Sequence, residues 1–148
     1  MKRIFLTGVV LLSACNALPR DPRGTSDRIE HEHRFTVGFA DGDAAREPQA
    51  TALLKAIETK MRAKAVVVPG SGEALLKRLE EGGVDLAIGR FRADSPWQTD
   101  VAFAPALRSV GTSSDALELK GAMPNGENRW IMTVEHASRA VVAAGQVQ

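Results

Sequence analysis

Tyrosine is absent, and aromatic residues make up only 5% of the 148. So few aromatics argue against a stacking platform for bases or sugar rings. The single cysteine excludes an internal disulfide and any metal site built on several thiolates. A formal net charge of +1 leaves no electrostatic footprint for nucleic acid. Catalytic signatures are missing as well. Gly70-Ser71-Gly72 is not a Gly-x-Ser-x-Gly elbow, and the chain has no Gly-Lys-Ser/Thr phosphate loop and no His-Glu-x-x-His. No recognisable motif positions a pair of carboxylates. The chain therefore reads as a binder rather than an enzyme, with no cofactor. What it does have is 44% hydrophobic and 25% charged residues. That suffices for one domain with a sizeable core, not for two.

The N-terminus carries an address. Lys2 and Arg3 precede an apolar run, Ile4 to Leu12, that is too short to span a bilayer and about the length of a signal-peptide core. Leu12-Ser13-Ala14-Cys15 resembles a bacterial lipobox, in which the chain is cut before the cysteine and acyl chains such as palmitate are attached to it. The expected mature chain starts at Cys15 and loses Lys2 and Arg3 but no acid, so its net charge falls from +1 to −1. Attachment to a membrane then rests on the acyl chains, each buried methylene contributing ~0.8 kcal/mol. The resemblance implies a periplasmic, membrane-anchored lipoprotein, and Asn16, where an Asp would favour the inner membrane, favours the outer one. Two prolines, a glycine and many polar groups between Asn16 and Arg28 read as a linker holding the domain off the lipid surface. The expected division is a leader at 1–14, a lipidated cysteine with flexible tether at 15–33, and a folded domain at 34–148.

Within that domain Phe35, Val37 and Phe39 alternate with small or polar residues as in a strand. From Glu47 to Arg62, Ala50, Leu53, Leu54, Ile57 and Met61 form one helical stripe, with Pro48 in the first turn. Ala65-Val66-Val67-Val68 reads as a strand buried on both faces. Ser71 is placed to cap a helix carrying Leu75, Leu76 and Leu79, which stops at Gly82-Gly83. Val84 to Ile88 reads as a third strand, Val101 to Ala104 as a fourth and Leu117 to Met123 as a fifth, with a Ser-, Thr- and Gly-rich connection over 108–116. A last helix over Glu127–Ala144 offers Trp130, Ile131, Val134, Ala137, Val141 and Val142 to the core. The predicted class is α/β: a single open, mostly parallel sheet with a β-α-β-α-β core, flanking helices and a C-terminal helix.

Three stretches carry a resemblance. They are Gly24-Thr25-Ser26-Asp27-Arg28-Ile29 before the first strand, the run from Gly70 to Gly89 with Glu73-Ala74-Leu75-Leu76 and Val84-Asp85-Leu86, and Ala93-Asp94-Ser95-Pro96-Trp97 followed by Val101-Ala102-Phe103-Ala104-Pro105. Their order and spacing resemble the first lobe of a type II periplasmic substrate-binding protein of the family 3 kind, which feeds ABC transporters. Met123 to Trp130 is similar to the closing strand and helix of that family. The resemblance implies a solute-binding, transporter-associated protein. The chain departs from it in having room for only a loop between Pro105 and Leu117, where the family inserts a second lobe. It also lacks an Arg between Ala93 and Val101, where amino-acid binders of the family carry one.

In an open α/β sheet ligands bind beyond the carboxyl ends of the strands. The candidate ligand residues are therefore Asp41, Ser71, Gly72, Arg90, Arg92 and Asp94. Gly70-Ser71-Gly72 leads into a helix N-terminus suited to an anion or to a plain cap. Arg90 and Arg92 share a face and suit an anionic solute, or pair with Asp94 or Asp100 in a solvated loop. Trp97 reads as a loop anchor. His31 and His33, read on a strand, would face one way, and with His136 or an acid they would approach a metal site. That pattern matches no zinc signature, so no metal is expected. The expected partners are a small, possibly anionic solute, the membrane through its lipid, and a permease or a second copy of the chain. Nucleic acid is not among them. The alternative function is a non-catalytic adaptor that has lost ligand trapping.

Overall fold

The computed structural model describes residues 20–146. The leader, Cys15 and Asn16, with the expectations attached to them, lie outside these residues. The elements are α1 (Thr25–Glu32), β1 (Arg34–Phe39), α2 (Pro48–Met61), β2 (Lys64–Val67), α3 (Gly72–Glu80), β3 (Leu86–Arg92), β4 (Val101–Phe103), β5 (Arg108–Val110), β6 (Leu117–Pro124) and α4 (Asn128–Gly145), with short 3-10 turns at Ala44–Arg46 and Pro96–Thr99. The helices follow the apolar spacing. α2 begins on Pro48, buries Ala50, Leu53, Ile57 and Met61, and stops where Arg62 turns left-handed at φ 51°. α3 buries Leu75, Leu76 and Leu79. Ser71 stands at its N-cap position with extended backbone, but its hydroxyl makes no capping bond.

The strands lie in one sheet in the order β2-β1-β3-β6-β4, with β5 also paired to β6. β1 is parallel to both β2 and β3. β6 alone runs the other way, antiparallel to β3, β4 and β5. Side-chain alternation divides the core in two. Phe35, Val37, Leu86, Ile88, Leu119 and Met123 face Ile29 of α1, Leu53 and Ile57 of α2, and Trp130 and Val134 of α4. On the other face Ala87, Phe91 and Ala122 meet the leucines of α3. α3 sits so close that a Cβ at Gly38 would lie 2.4 Å from the Leu75 side chain. A larger residue at 38 would have to push the Leu75 side chain aside.

Two networks at the amino ends of the strands close this core. The nearly buried Asp85, just before β3, accepts from the Thr36 backbone N–H (2.8 Å) and hydroxyl (2.9 Å) and pairs with Arg28. Its backbone carbonyl accepts from the Trp130 indole N–H at 2.7 Å. α1, β1, β3 and α4 thus meet at one residue. The second network is reciprocal helix capping. Asp21 accepts from the Arg129 and Trp130 N–H groups (2.7 and 3.1 Å) at the start of α4. Glu127, just before α4, accepts from the Arg23 and Thr25 N–H groups (2.9 and 3.1 Å) at the start of α1. Each carboxylate satisfies helix donors that would otherwise be orphaned.

Four expectations are corrected. Residues 21–33 are not tether: α1 packs with Ile29 fully buried, so the folded domain begins at about Arg20 and not Arg34. One apolar residue among charges hid a helix whose anchoring contacts to Asp85, Glu127 and Arg129 are long-range. β2 is not buried on both faces. It is an edge strand paired only to β1, and Val67 is 63% exposed. Residues 108–110 are strand β5, a hairpin partner of 117–119 too short to show periodicity. His31 lies in α1 and His33 ends it at φ 54°, so the two do not share the strand face assumed for them. Among the described residues no group of three or more His, Cys, Asp or Glu is arranged to hold a metal ion.

Replacing Ile29 with Ala should lower unfolding stability by about 3 kcal/mol in urea titration, because the site leaves a cavity under α1. A residue in a flexible tether would show no change.

Candidate functional site

β1 lies between β2 and β3: α2 carries the chain from β1 out to β2 on one face, and α3 carries it from β2 back across β1 to β3 on the other. At such a switch point the carboxyl ends of the strands open a crevice. All six candidate residues lie along this edge, arranged in two ion-pair groups and one helix start.

The first group gathers at the ends of β1 and β3. Asp41 accepts from the Ala44 N–H (2.8 Å), the Arg90 N–H (2.9 Å) and the Arg90 guanidinium (3.0 Å). Arg90 also donates to Glu47 at 2.6 Å, and Glu47 accepts from Arg108 of β5 at 3.2 Å. Glu47 is thus a hub binding the start of α2 to the end of β3 and to the hairpin. The hydrogen bond to Glu47, with the charges of Asp41 and Asp43 behind it, holds Arg90 above its ordinary value. Beside this group Gly89 is locked by its neighbours, since a Cβ there would lie 2.6 Å from that of Ala40.

The second group is Arg92 with Asp94 (2.9 and 3.1 Å) and Asp115 (2.6 Å). Bonding to Asp94 raises Arg92, and the Arg92 hydrogen bond in turn holds Asp94 below the usual carboxylate range. The third element is the start of α3. The Gly72 N–H donates to the Ala40 carbonyl at 2.9 Å, so that donor is turned to the end of β1 rather than to an anion. Ser71 stays exposed.

The pairing of Asp41 with Arg90 and the apposition of Gly72 to β1 link residues far apart in sequence, whereas Arg92 and Asp94 are two residues apart. The expected pairing of Arg92 with Asp94 occurs, while Arg90 turns to Asp41 and Glu47. Both guanidinium forks face carboxylates, so an incoming anion has to compete with an acid already in place. Sequence reasoning missed Glu47, Arg108, Asp115 and Lys120. Lys120 on β6 is only 6% exposed, bonds Glu118 at 2.7 Å and stands 4.5 Å over the Phe103 ring. A signal existed for it: Glu118 and Lys120 alternate inside an otherwise apolar strand. Trp97 is half-buried against the core of the α3 face, as a loop anchor would be.

Neither known family models nor curated proteins match the sequence. Solved structures do match. The arginine-bound form of domain 1 of TmArgBP, from T. maritima, is 15% identical with a TM-score of 0.62, over 77% of this chain and 98% of that one. The ancestral amino-acid-binding protein AncCDT-1, a precursor of cyclohexadienyl dehydratase, gives 13% and 0.65 over 82% and 95%. An ancestral cyclohexadienyl dehydratase, AncCDT-3, gives 12% and 0.65 over 82% and 92%. These likenesses establish the fold: one periplasmic-binding-protein-like lobe.

The depressed Asp94 sets the sign of a pH effect. A carboxyl lowered by folding stabilises the folded state above its unfolded value, and that contribution is lost as pH falls through the lowered one. The thermal midpoint of the wild type should exceed that of Asp94→Asn slightly at pH 7. The gap should close as pH drops through about 3.9 and past the folded value. A gap that widens in acid would be the wrong sign.

Proposed function

We propose that this chain is a solute-binding protein reduced to one lobe, lipid-anchored through Cys15 in the periplasm and serving a transporter permease. The solute binds along the edge formed by Asp41, Ser71, Gly72, Arg90, Arg92 and Asp94. The observation that carries the reading is the lone lobe itself: among the solved structures it resembles is an isolated domain 1 in arginine-bound form. The edge presents guanidinium and carboxylate groups side by side, which suits a small solute of amino-acid size carrying a negative group and a partner charge. Binding is weak, because one lobe leaves the solute open to water on its far side, where hydrogen bonds contribute little net free energy.

A second reading, an adaptor without ligand trapping, draws on one observation. Val110 and Leu117 face each other across the β5–β6 hairpin and are 57% and 46% exposed, at the point where a second lobe would begin. Exposed apolar pairs of this kind fit a protein partner.

Calorimetry of residues 16–148 against amino acids, organic acids and phosphate tests the first reading. A saturable heat abolished by Arg90→Ala supports it, and silence across the panel favours the adaptor. Dehydratase turnover in the same samples would overturn the expectation of a pure binder. Separately, Cys15→Ser should move the protein from the membrane to the soluble periplasmic fraction. Retention on the membrane would remove the lipid anchor from this reading.

A further inference from the structure

The point at which the folded chain begins defines which face of the lobe meets the membrane. Asp21 is fixed by its bonds to the first N–H groups of α4, and Arg23 and Thr25 are fixed by Glu127. Four residues lie between Cys15 and Arg20, and the five steps from one to the other span at most about 18 Å even fully extended. The linker expected over 15–33 would have reached several times further. α4 starts directly after β6, whose last residue Pro124 lies beyond the Ala87–Ala122 pair, at the amino end of β3. The solute edge is at the opposite end of the strands, about 20 Å away along the six residues of β1.

Beside Arg20 a groove of about 700 Å³ opens between α1, the end of α2 and the first turns of α4. Arg20, Lys60, Arg129 and His136 line it, together with Met132, which is 42% exposed. Two acids share the lining, but both are engaged: Asp21 by α4 backbone donors and Asp27 by Arg129. Arg129 is itself paired with Asp27 and Glu30, so Arg20 and Lys60 are the cations this rim offers around the exposed Met132, the complement of a phosphate layer above acyl chains.

We propose that this groove face is the membrane-docking surface of the anchored protein, with its cations opposed to lipid phosphates and the solute edge pointing away from the bilayer. This rests on the lipid anchor proposed at Cys15. The test uses full-length lipidated protein reconstituted in phosphatidylethanolamine–phosphatidylglycerol vesicles that contain a headgroup-nitroxide lipid. A fluorophore is placed at Met132→Cys in one sample and at Glu73→Cys, by the solute edge, in another. Flotation with the vesicles and several-fold stronger quenching at position 132 than at 73 are expected, and Lys60→Glu should reduce the quenching at 132 without loss of flotation. Flotation with equal, reversed or absent quenching overturns the docking surface alone. Failure to float overturns the anchor and the docking surface together.

Discussion

Asp85, just before β3, joins β1, α1 and α4 at one residue through its carboxylate and its backbone carbonyl. It holds Thr36 of β1, takes Arg28 from α1, and its own carbonyl receives the indole of Trp130 from α4. A nearly buried charge is tolerable only when its lone pairs are filled, and here each partner comes from a different part of the chain. The parallel pairing of β1 with β3 depends on this knot, and so does the seating of the N-terminal segment. Since Asp41 and Arg90 stand at the far ends of β1 and β3, the geometry of the proposed solute edge is inherited from contacts at the opposite end of the sheet.

The described residues close one lobe around its own core. In two-lobed proteins of this architecture the ligand is enclosed from both sides and water is excluded. Here β5 and β6 are joined by a short turn, and Glu47 ties that hairpin to the end of β3 through Arg90 and Arg108. The strands that would cross to a second lobe are therefore held as part of the first. The edge is kept in order by its own ion pairs, so a solute bound there as proposed would meet preformed groups and have to compete with them. Selectivity in such a site comes from which internal pair a solute can replace without leaving a charge unpaired.

Much of the fold was legible because it rests on local periodicity. Ala50, Leu53, Ile57 and Met61 in α2, and Leu75, Leu76 and Leu79 in α3, declare a helix by spacing alone. β1, β3 and β6 show as alternating or apolar runs. What stayed hidden was long-range. α1 offers a single deeply buried apolar side chain, Ile29, and its stability comes from Glu127 and Arg129, about a hundred residues away. β2 looked like an interior strand because Ala65 to Val68 is uniformly apolar, yet sheet position, not composition, decides burial. At the edge, the candidate positions followed from the rule that sites gather at strand ends. The partners did not, since nothing in their own neighbourhoods marks Glu47 as facing Arg90, Asp115 as facing Arg92, or Arg108 as reaching Glu47.

Backbone amide shifts of the isotopically labelled domain, followed by nuclear magnetic resonance during titration with arginine, glutamate and phosphate, test the central claim most directly. A single lobe that binds at its strand ends predicts shifts concentrated in residues 40–47, 71–73 and 89–94, saturating with one of these solutes. Saturating shifts confined to other faces, or none with any of the three, would contradict a solute edge at that end of the sheet.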